Sequence, residues 1–421
     1  MLRQRFLSGY RSGGSDENAP SSGAEASALA TGAAGKRLSL LYGFLFFELG
    51  VNLPFFPLWL QAQSLGSDAI GIILAAPLLA RIVANPLVAA LADRSGRISA
   101  ALSACAILVA AGTALLGLVT GFWPILIVVI AVALAQGPLI ALADAMTLSR
   151  LAEEPQSELT YGRIRLWGSI GFAVANLVAG WSLEWFAAPS VIVLLLLSAI
   201  LTAGAALLCR TLARDQPRTA LSSDALPRPS LLLIGTIAGA ALVQASHAAF
   251  YGFGTLHWGA SGMSGAAMGG LWAVGVLSEI GLFAFLGYRM RGPASAAGLL
   301  VAAAAITVLR WAGMAQDPGV VALVLLQLTH GLTFGVTHLA SIFLLARLAP
   351  GGMQARAQAW LAAGWAGVMA GLTTLSGRLY ETWGEEIYLV MLAVAAAGLT
   401  LLFCVMLGLR RAPVPGPASL A

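Results

Sequence analysis

Residues 161–181 read YGRIRLWGSIGFAVANLVAGW. No charge follows Arg165 until Glu184, and Gly168, Gly171 and Gly180 recur among large apolar residues. A run of this kind fits a membrane-crossing helix, which needs about 20 mostly apolar residues. Arg163, at its mouth, suits an interfacial anchor. Arg165 lies two residues deeper, roughly 3 Å further along a helix axis. A guanidinium at that depth needs something to hold.

The rest of the chain places this stretch in context. Of 421 residues, 59% are hydrophobic and 10% charged, whereas soluble domains average about 25% charged. The deficit runs the whole length and indicates an integral membrane protein. The apolar runs do not alternate with period two, so the class is all-α. Twelve spans are expected: 38–62, 70–92, 98–119, 122–148, 163–187, 190–210, 231–257, 264–288, 294–314, 318–346, 356–378 and 386–409. Residues 38–210 and 231–409 then form two six-helix bundles, joined by the polar, Pro-containing linker 211–230. Residues 1–37, rich in Gly, Ser and Ala, read as a disordered tail without a signal-peptide core, and 410–421 as a second tail. Cys105, Cys209 and Cys404 sit in separate runs, a pattern of packing residues and not of a disulfide framework or zinc site.

Basic residues orient the chain. Arg94, Arg97, Arg150, Arg163, Arg210, Arg289, Arg347, Arg356 and Arg410 fall at alternate loops or the C-terminus, with Arg3, Arg5, Arg11, Lys36 and Arg37 in the N-terminal tail. The opposite loops carry no Lys or Arg, and only Arg378 breaks the pattern. Both termini are therefore expected in the cytoplasm. The net charge of +5 reports this topology and gives no reason to invoke nucleic acid.

Two halves suggest duplication. AQGPLIALAD (135–144) and THGLTFGVTH (329–338) each carry a polar residue and a Gly in tandem, Gln136-Gly137 and His330-Gly331. Each leads through a basic loop into a Gly-rich span, although generic membrane-helix composition gives similar patterns.

Ionisable residues inside the spans are the strongest functional signal, since a charge in hydrocarbon costs about 2.5–3.5 kcal/mol on insertion scales. They are Glu48, Arg81, Asp144, Arg165, Glu279, Arg310 and His330. Together they predict a polar cavity at the bundle centre. The fourth and fifth spans form a hairpin, so Arg165 is expected to meet Asp144 or a substrate oxygen through a two-pronged hydrogen bond. Glu48 and Arg81 are expected as a structural ion pair. Glu279, Arg310 and His330 suit proton coupling: a carboxyl in a dry site holds its proton more tightly, and a nearby arginine loosens it. A static network tying helices together is the competing reading. The spacings of His330 to His338 and of His247 to His257 serve no single metal ion, and no nucleophile–base or metal motif appears, so no cofactor, metal or enzymatic activity is expected. In the loop ALADRSGR (90–97), Asp93 is placed to cap the next helix or to pair with Arg94 or Arg97 across a gate.

These residues resemble the major facilitator superfamily, whose loop after the second span matches Asp93-Arg94-Ser95-Gly96-Arg97. The family's earlier glycine is Ala89 here, and the second-half copy of the loop is barely visible at GYRMRG, 287–292. PFFPLWL (54–60), SDAIGIILAA (67–76) and YGRIRLWGSIGF (161–172) are similar to the oligosaccharide/proton symporter branch, which holds lactose permease and phenylpropionate-type transporters. The resemblance implies a solute site at Asp144, Arg165 and the Phe172 position, proton coupling at Glu279, Arg310 and His330, and a gating loop at Asp93, Arg94, Gly96 and Arg97; His338, read from the residues as polar and pore-lining, is expected at the solute site too. Thr333 stands where the branch has a proton-carrying carboxylate, and Phe172 where it has a tryptophan. Both departures weaken a galactoside reading and favour a small organic solute such as an aromatic carboxylate. The expectation is a monomeric, proton-coupled secondary transporter of the inner membrane. Its rivals are a sugar or nucleoside symporter of the same fold and a non-transporting receptor.

Overall fold

The computed structural model describes residues 22–153, 160–212, 229–286, 290, 292–350 and 353–411. Its helices are α1 (Ser22–Ala62), α2 (Ser67–Ser95), α3 (Ile98–Leu116), α4 (Phe122–Gln136), α5 (Leu139–Glu153), α6 (Tyr161–Ser182), α7 (Val191–Cys209), α8 (Leu231–Ala245), α9 (Ala248–Ala260), α10 (Gly265–Leu286), α11 (Pro293–Met314), α12 (Val320–Leu328), α13 (Thr337–Leu348), α14 (Gln354–Trp383) and α15 (Ile387–Arg411). Ten stretches among the described residues are long and apolar enough to cross a bilayer. They count α4–α5, α8–α9 and α12–α13 as one each, run α14 and α15 together, and leave out α6. The protein is an all-α, multi-pass membrane protein.

One expectation fails at the N-terminus. Residues 22–37, assigned to a disordered tail, continue α1 as helix. Alanine is the best helix former, and a helix already nucleated by the first span extends without a second nucleation cost. Residues 1–21 of that tail, 213–228 of the expected linker and 412–421 of the C-terminal tail lie outside the described residues. So does most of GYRMRG.

The breaks within spans have local causes. Pro138 has no N–H and clashes with the preceding turn, so α4 stops at Gln136 and α5 restarts at Leu139. Between α12 and α13, Gly331–Val336 widens into a π-helical turn, and the Gly331 N–H donates to Ser278 Oγ at 2.9 Å. Such turns re-aim side chains and gather at functional sites.

Among the described residues, buried apolar side chains form four clusters. One draws only on residues 38–209, and two only on residues 233–406. The fourth joins both sets through Phe55, Trp59, Phe250, Phe253, Trp272 and Tyr388. There α2 packs on α14 and α6 on α10, at places where glycines let backbones touch. Gly71 lies against Gly377, and Gly180 against Gly265 and Gly269.

Candidate functional site

In α1, α5 and α6, Asp144 Oδ1 accepts from Tyr42 Oη at 2.5 Å and from Tyr161 Oη at 3.0 Å. Arg165 does not reach it: no ion pair joins the two among the described residues. The guanidinium lies over the Phe46 ring, 3.8 Å from its centroid. Two hydroxyl donors already occupy Oδ1, and a cation over an aromatic face gains about 0.5–2 kcal/mol. Arg165 is also the cation acting on Glu279 of α10, so the two sets of helices face each other electrically here. Phe172 sits seven residues beyond Arg165 on the same face of α6 and is half-buried.

Arg310 of α11 is 1% exposed. Its Nη1 donates to His330 Nδ1 at 2.8 Å and to Thr333 Oγ1 at 3.1 Å, and Nη2 donates to Gln327 Oε1 at 2.6 Å. Arginine only donates, so His330 Nδ1 accepts and the ring is neutral, with its proton on Nε2. His247 lies beside it, with Nδ1 3.1 Å from the Gln244 carbonyl and Nε2 3.3 Å from Thr333 Oγ1. A donating Nδ1–H leaves Nε2 to accept from the Thr333 hydroxyl. Phe250, Tyr251, Trp311 and Phe334 surround these groups. Arg310 and His330 thus come together as expected, but Glu279 does not join them and carries no hydrogen bond among the described residues. His338 is exposed on α13, away from the network; the π turn between it and His330 changes the helical register on which their spacing was judged.

Glu48 of α1, 3% exposed, and Arg81 of α2 form no direct ion pair. Gln136 stands between them: its Nε2 donates to Glu48 Oε1 at 2.6 Å, and its Oε1 accepts from Arg81 Nη2. Gly137 makes this approach possible, because a Cβ there would lie 2.8 Å from Arg81 Cγ. Glu48, Asn52, Arg81 and Gln136 line a cavity of about 140 Å³ whose other wall includes Tyr251 and Thr373.

In the loop after α2, Gly96 is buried with φ 65°, a left-handed conformation that favours glycine. Arg94 and Arg97 are exposed. Arg97 is the N-cap of α3, its own side chain makes no capping hydrogen bond, and its N–H donates to Ser95 Oγ at 3.4 Å. The Asp93 side chain lies outside the described residues. His257, near the end of α9, contacts Asp317 at 3.1 Å.

Sequence reasoning missed Tyr42, Tyr161, Gln136 and Gln327, and weighed His247 only to set a metal ion aside. Neutral polar residues in apolar runs are too common to stand out. The tandem Gln136-Gly137 was the one available signal, and it was read only as a repeat mark.

Comparison with known proteins adds the following. The model of the MFS_1 like family matches residues 36–390. A probable 3-phenylpropionic acid transporter of Escherichia coli K12 is 32% identical over 372 residues, covering 85% of this chain and 94% of that protein. A maltose permease of Geobacillus stearothermophilus is 30% identical over 360 residues, covering 82% and 87%. Among solved structures, the nucleoside transporter NupG superposes with TM-score 0.71 at 19% identity, covering 90% of this chain and 100% of that one. An auto-inhibited POT family peptide transporter gives TM-score 0.70 at 13% identity, with 92% and 98% covered. The last two bear on fold alone.

Proposed function

The chain belongs to the MFS_1 like family, and on that premise we propose that it concentrates a small aromatic carboxylate by symport with protons. It is a secondary active transporter of a small organic solute, and not an enzyme. In our reading it belongs to the oligosaccharide/proton symporter branch and works as a monomer in the inner membrane of a bacterium with both termini cytoplasmic. Twelve spans make two six-helix bundles, with α6 crossing despite Arg163 and Arg165, and α14 and α15 crossing separately.

The observation that carries the substrate class is the state of two arginines. Arg310 is buried with only neutral acceptors, and Arg165 stacks on Phe46 without an ion-pair partner among the described residues. A carboxylate offers the charge that both lack, and two-pronged binding is what guanidinium does best. Phe250, Tyr251 and Phe334 beside Arg310 suit an aromatic body, as does the phenylpropionic acid named for the E. coli relative. Asp144, Arg165 and Phe172 then face the solute, and Arg310 with His330 and Glu279 responds to it. The exposed His338 takes part only if the site extends along α13. The loop at Asp93, Arg94, Gly96 and Arg97 serves as a cytoplasmic gate.

The basic loops lie at one end, and the glycine contacts between α2 and α14 and between α6 and α10 at the other. We read the structure as sealed outside and open inside. Rocking of the bundles about a mid-membrane site follows from that arrangement.

A second reading, a neutral sugar as cargo, is favoured by the maltose permease relative. Uptake into proteoliposomes under an imposed pH gradient separates the two. Accumulation of 3-phenylpropionate but not maltose supports the acid; accumulation of maltose alone, or no dependence on the gradient, overturns it.

A further inference from the structure

We propose that Glu48 is the carboxylate that carries the coupled proton, with Gln136 and Arg81 as its positioning residues. The inference rests on the symport reading above and replaces Glu279 in that role. Its ground is geometric. Thr333 lacks a carboxyl, so the Arg310–His330 network has no acid of its own. Three acids remain in the spans. Asp144 is tied by two tyrosine hydroxyls to one oxygen. Glu279 makes no hydrogen bond among the described residues, and Arg165, the cation that acts on it, is itself held over Phe46, so no hydrogen-bonded relay fixes its carboxyl to a neighbouring helix.

Glu48 differs from both. It is 3% exposed yet lines a cavity. That cavity's 140 Å³ has room for several waters, each needing roughly 10–15 Å³ by the same kind of measure. The relay has a fixed polarity. Arg81 can only donate, so the Gln136 amide must turn its oxygen to Arg81 and its NH₂ to Glu48. The carboxylate therefore receives a hydrogen bond whose strength depends on its negative charge. When a hydronium ion in the cavity passes a proton to Glu48, water is left behind and the carboxylate becomes a neutral acid. The Gln136 bond weakens, and Arg81 loses its nearest counter-charge. Arg81 Nε is already buried without a hydrogen-bond partner, so the guanidinium then has reason to turn toward an anion in the cavity. Tyr251 and Thr373 form the opposite wall, which carries the change across to the second set of helices.

Other charged or titratable groups near Glu48 are accounted for by element. From α2 comes Arg81, and from α9 Tyr251. From α5 and α6 come Asp144, Tyr161 and Arg165, all gathered about Tyr42 and Phe46. From α7 comes no charged side chain, and its one thiol, Cys209, ends the helix. The α3 helix adds the hydroxyl of Thr113 to the cavity wall.

The test reads protonation without needing the solute. Infrared difference spectra are recorded on the full chain in liposomes during a pH step across neutrality. The wild type should show a carboxylic C=O band that is lost in Glu48→Gln and kept in Glu279→Gln. Gln136→Leu should shift that band's titration midpoint, which a purely structural role would not do. In the same liposomes Glu48→Gln should equilibrate 3-phenylpropionate without concentrating it. A band that survives Glu48→Gln and disappears in Glu279→Gln overturns the proposal while leaving symport intact. Should wild type fail to concentrate 3-phenylpropionate, the substrate reading falls and the band still decides Glu48. If Glu48→Gln does not yield a folded chain, Glu48→Asp replaces it, and an unmoved band position and midpoint in that variant count against the proposal.

Discussion

Gly377→Ala should open the outer face, and the structure sets the size of the effect. A Cβ built on Gly377 of α14 stands 2.5 Å from the Ser67 carbonyl oxygen and 3.0 Å from Gly71 Cα. Relaxed contact between carbons needs about 3.5–4.0 Å. Both obstacles are backbone, so no side chain can swing aside, and α2 must part from α14 by roughly 1 Å. Overpacking of this kind costs about 1–3 kcal/mol. The cost falls only on the outside-closed form, because opening that face separates the helices anyway. At Ser67 the same face is held by Glu381, whose Oε1 accepts the Ser67 N–H at 3.2 Å, and at the other glycine contact by Glu184, which accepts the Ala266 N–H at 2.7 Å. A penalty of 1–3 kcal/mol shifts a two-state equilibrium by about 5–150-fold. The assay is the rate at which a membrane-impermeant maleimide reaches a cavity cysteine from outside. The reporter is Asn52→Cys in a chain with Cys105, Cys209 and Cys404 replaced by alanine, in right-side-out vesicles. Gly371→Ala is the control, since nothing lies within 4 Å of its added Cβ. A Gly377→Ala rate equal to the parent's, or a control rate raised as much, refutes the reasoning.

Three further outcomes follow from the same geometry. Gly137→Ala puts a methyl 2.8 Å from Arg81 Cγ; it should cost about 1–3 kcal/mol and lower the thermal midpoint, whereas Gly270→Ala, with open space around its Cβ, should not. Thr333→Val keeps the shape but removes the hydroxyl that accepts from Arg310 and meets His247. A buried donor left unpaired costs roughly 1–3 kcal/mol, which scanning calorimetry of the purified chain should register. Arg165→Lys loses the planar stack on Phe46 and two-pronged binding, so KM for 3-phenylpropionate should rise about tenfold, equivalent to 1.4 kcal/mol, with the thermal midpoint held; an unchanged KM excludes Arg165 from the solute site.

Membrane class and helical form were legible because they depend on composition and run length, which tertiary contacts do not alter. The polar interior was legible for a similar reason, since a charge at membrane depth needs a partner wherever the helices lie. Which partner it finds depends on distances of an ångström or two between helices, and these the sequence does not carry. Hairpin logic brought Asp144 and Arg165 to one depth correctly but had no account of Tyr42 and Phe46, on a third helix, which take one each. The same logic brought Glu48 toward Arg81 and overlooked Gln136, because the Gly137-Pro138 break that lets the amide in is a local backbone event. His338 was read as pore-lining from its polarity within an apolar run, and its exposure on α13 depends on the π turn at Gly331–Val336, a local backbone event that polarity does not announce.

The arrangement of charge has a consequence of its own. Among the described residues, none of the six span carboxylates and guanidinium groups pairs directly with an opposite charge: an amide separates Glu48 from Arg81, tyrosines occupy Asp144, Phe46 holds Arg165 and neutral acceptors hold Arg310. A chain built for stability alone would close such pairs or replace them with apolar residues, because a buried charge left without a counter-charge costs about 3–5 kcal/mol. Closed pairs would also be poor devices for transport, since solute or proton would have to break them first. Charges held by neutral groups stay solvated enough to tolerate burial while remaining open to a better partner. That condition suits a protein that must bind an anion and a proton and then let both go, and it explains why the bonds found here are mostly charge to neutral.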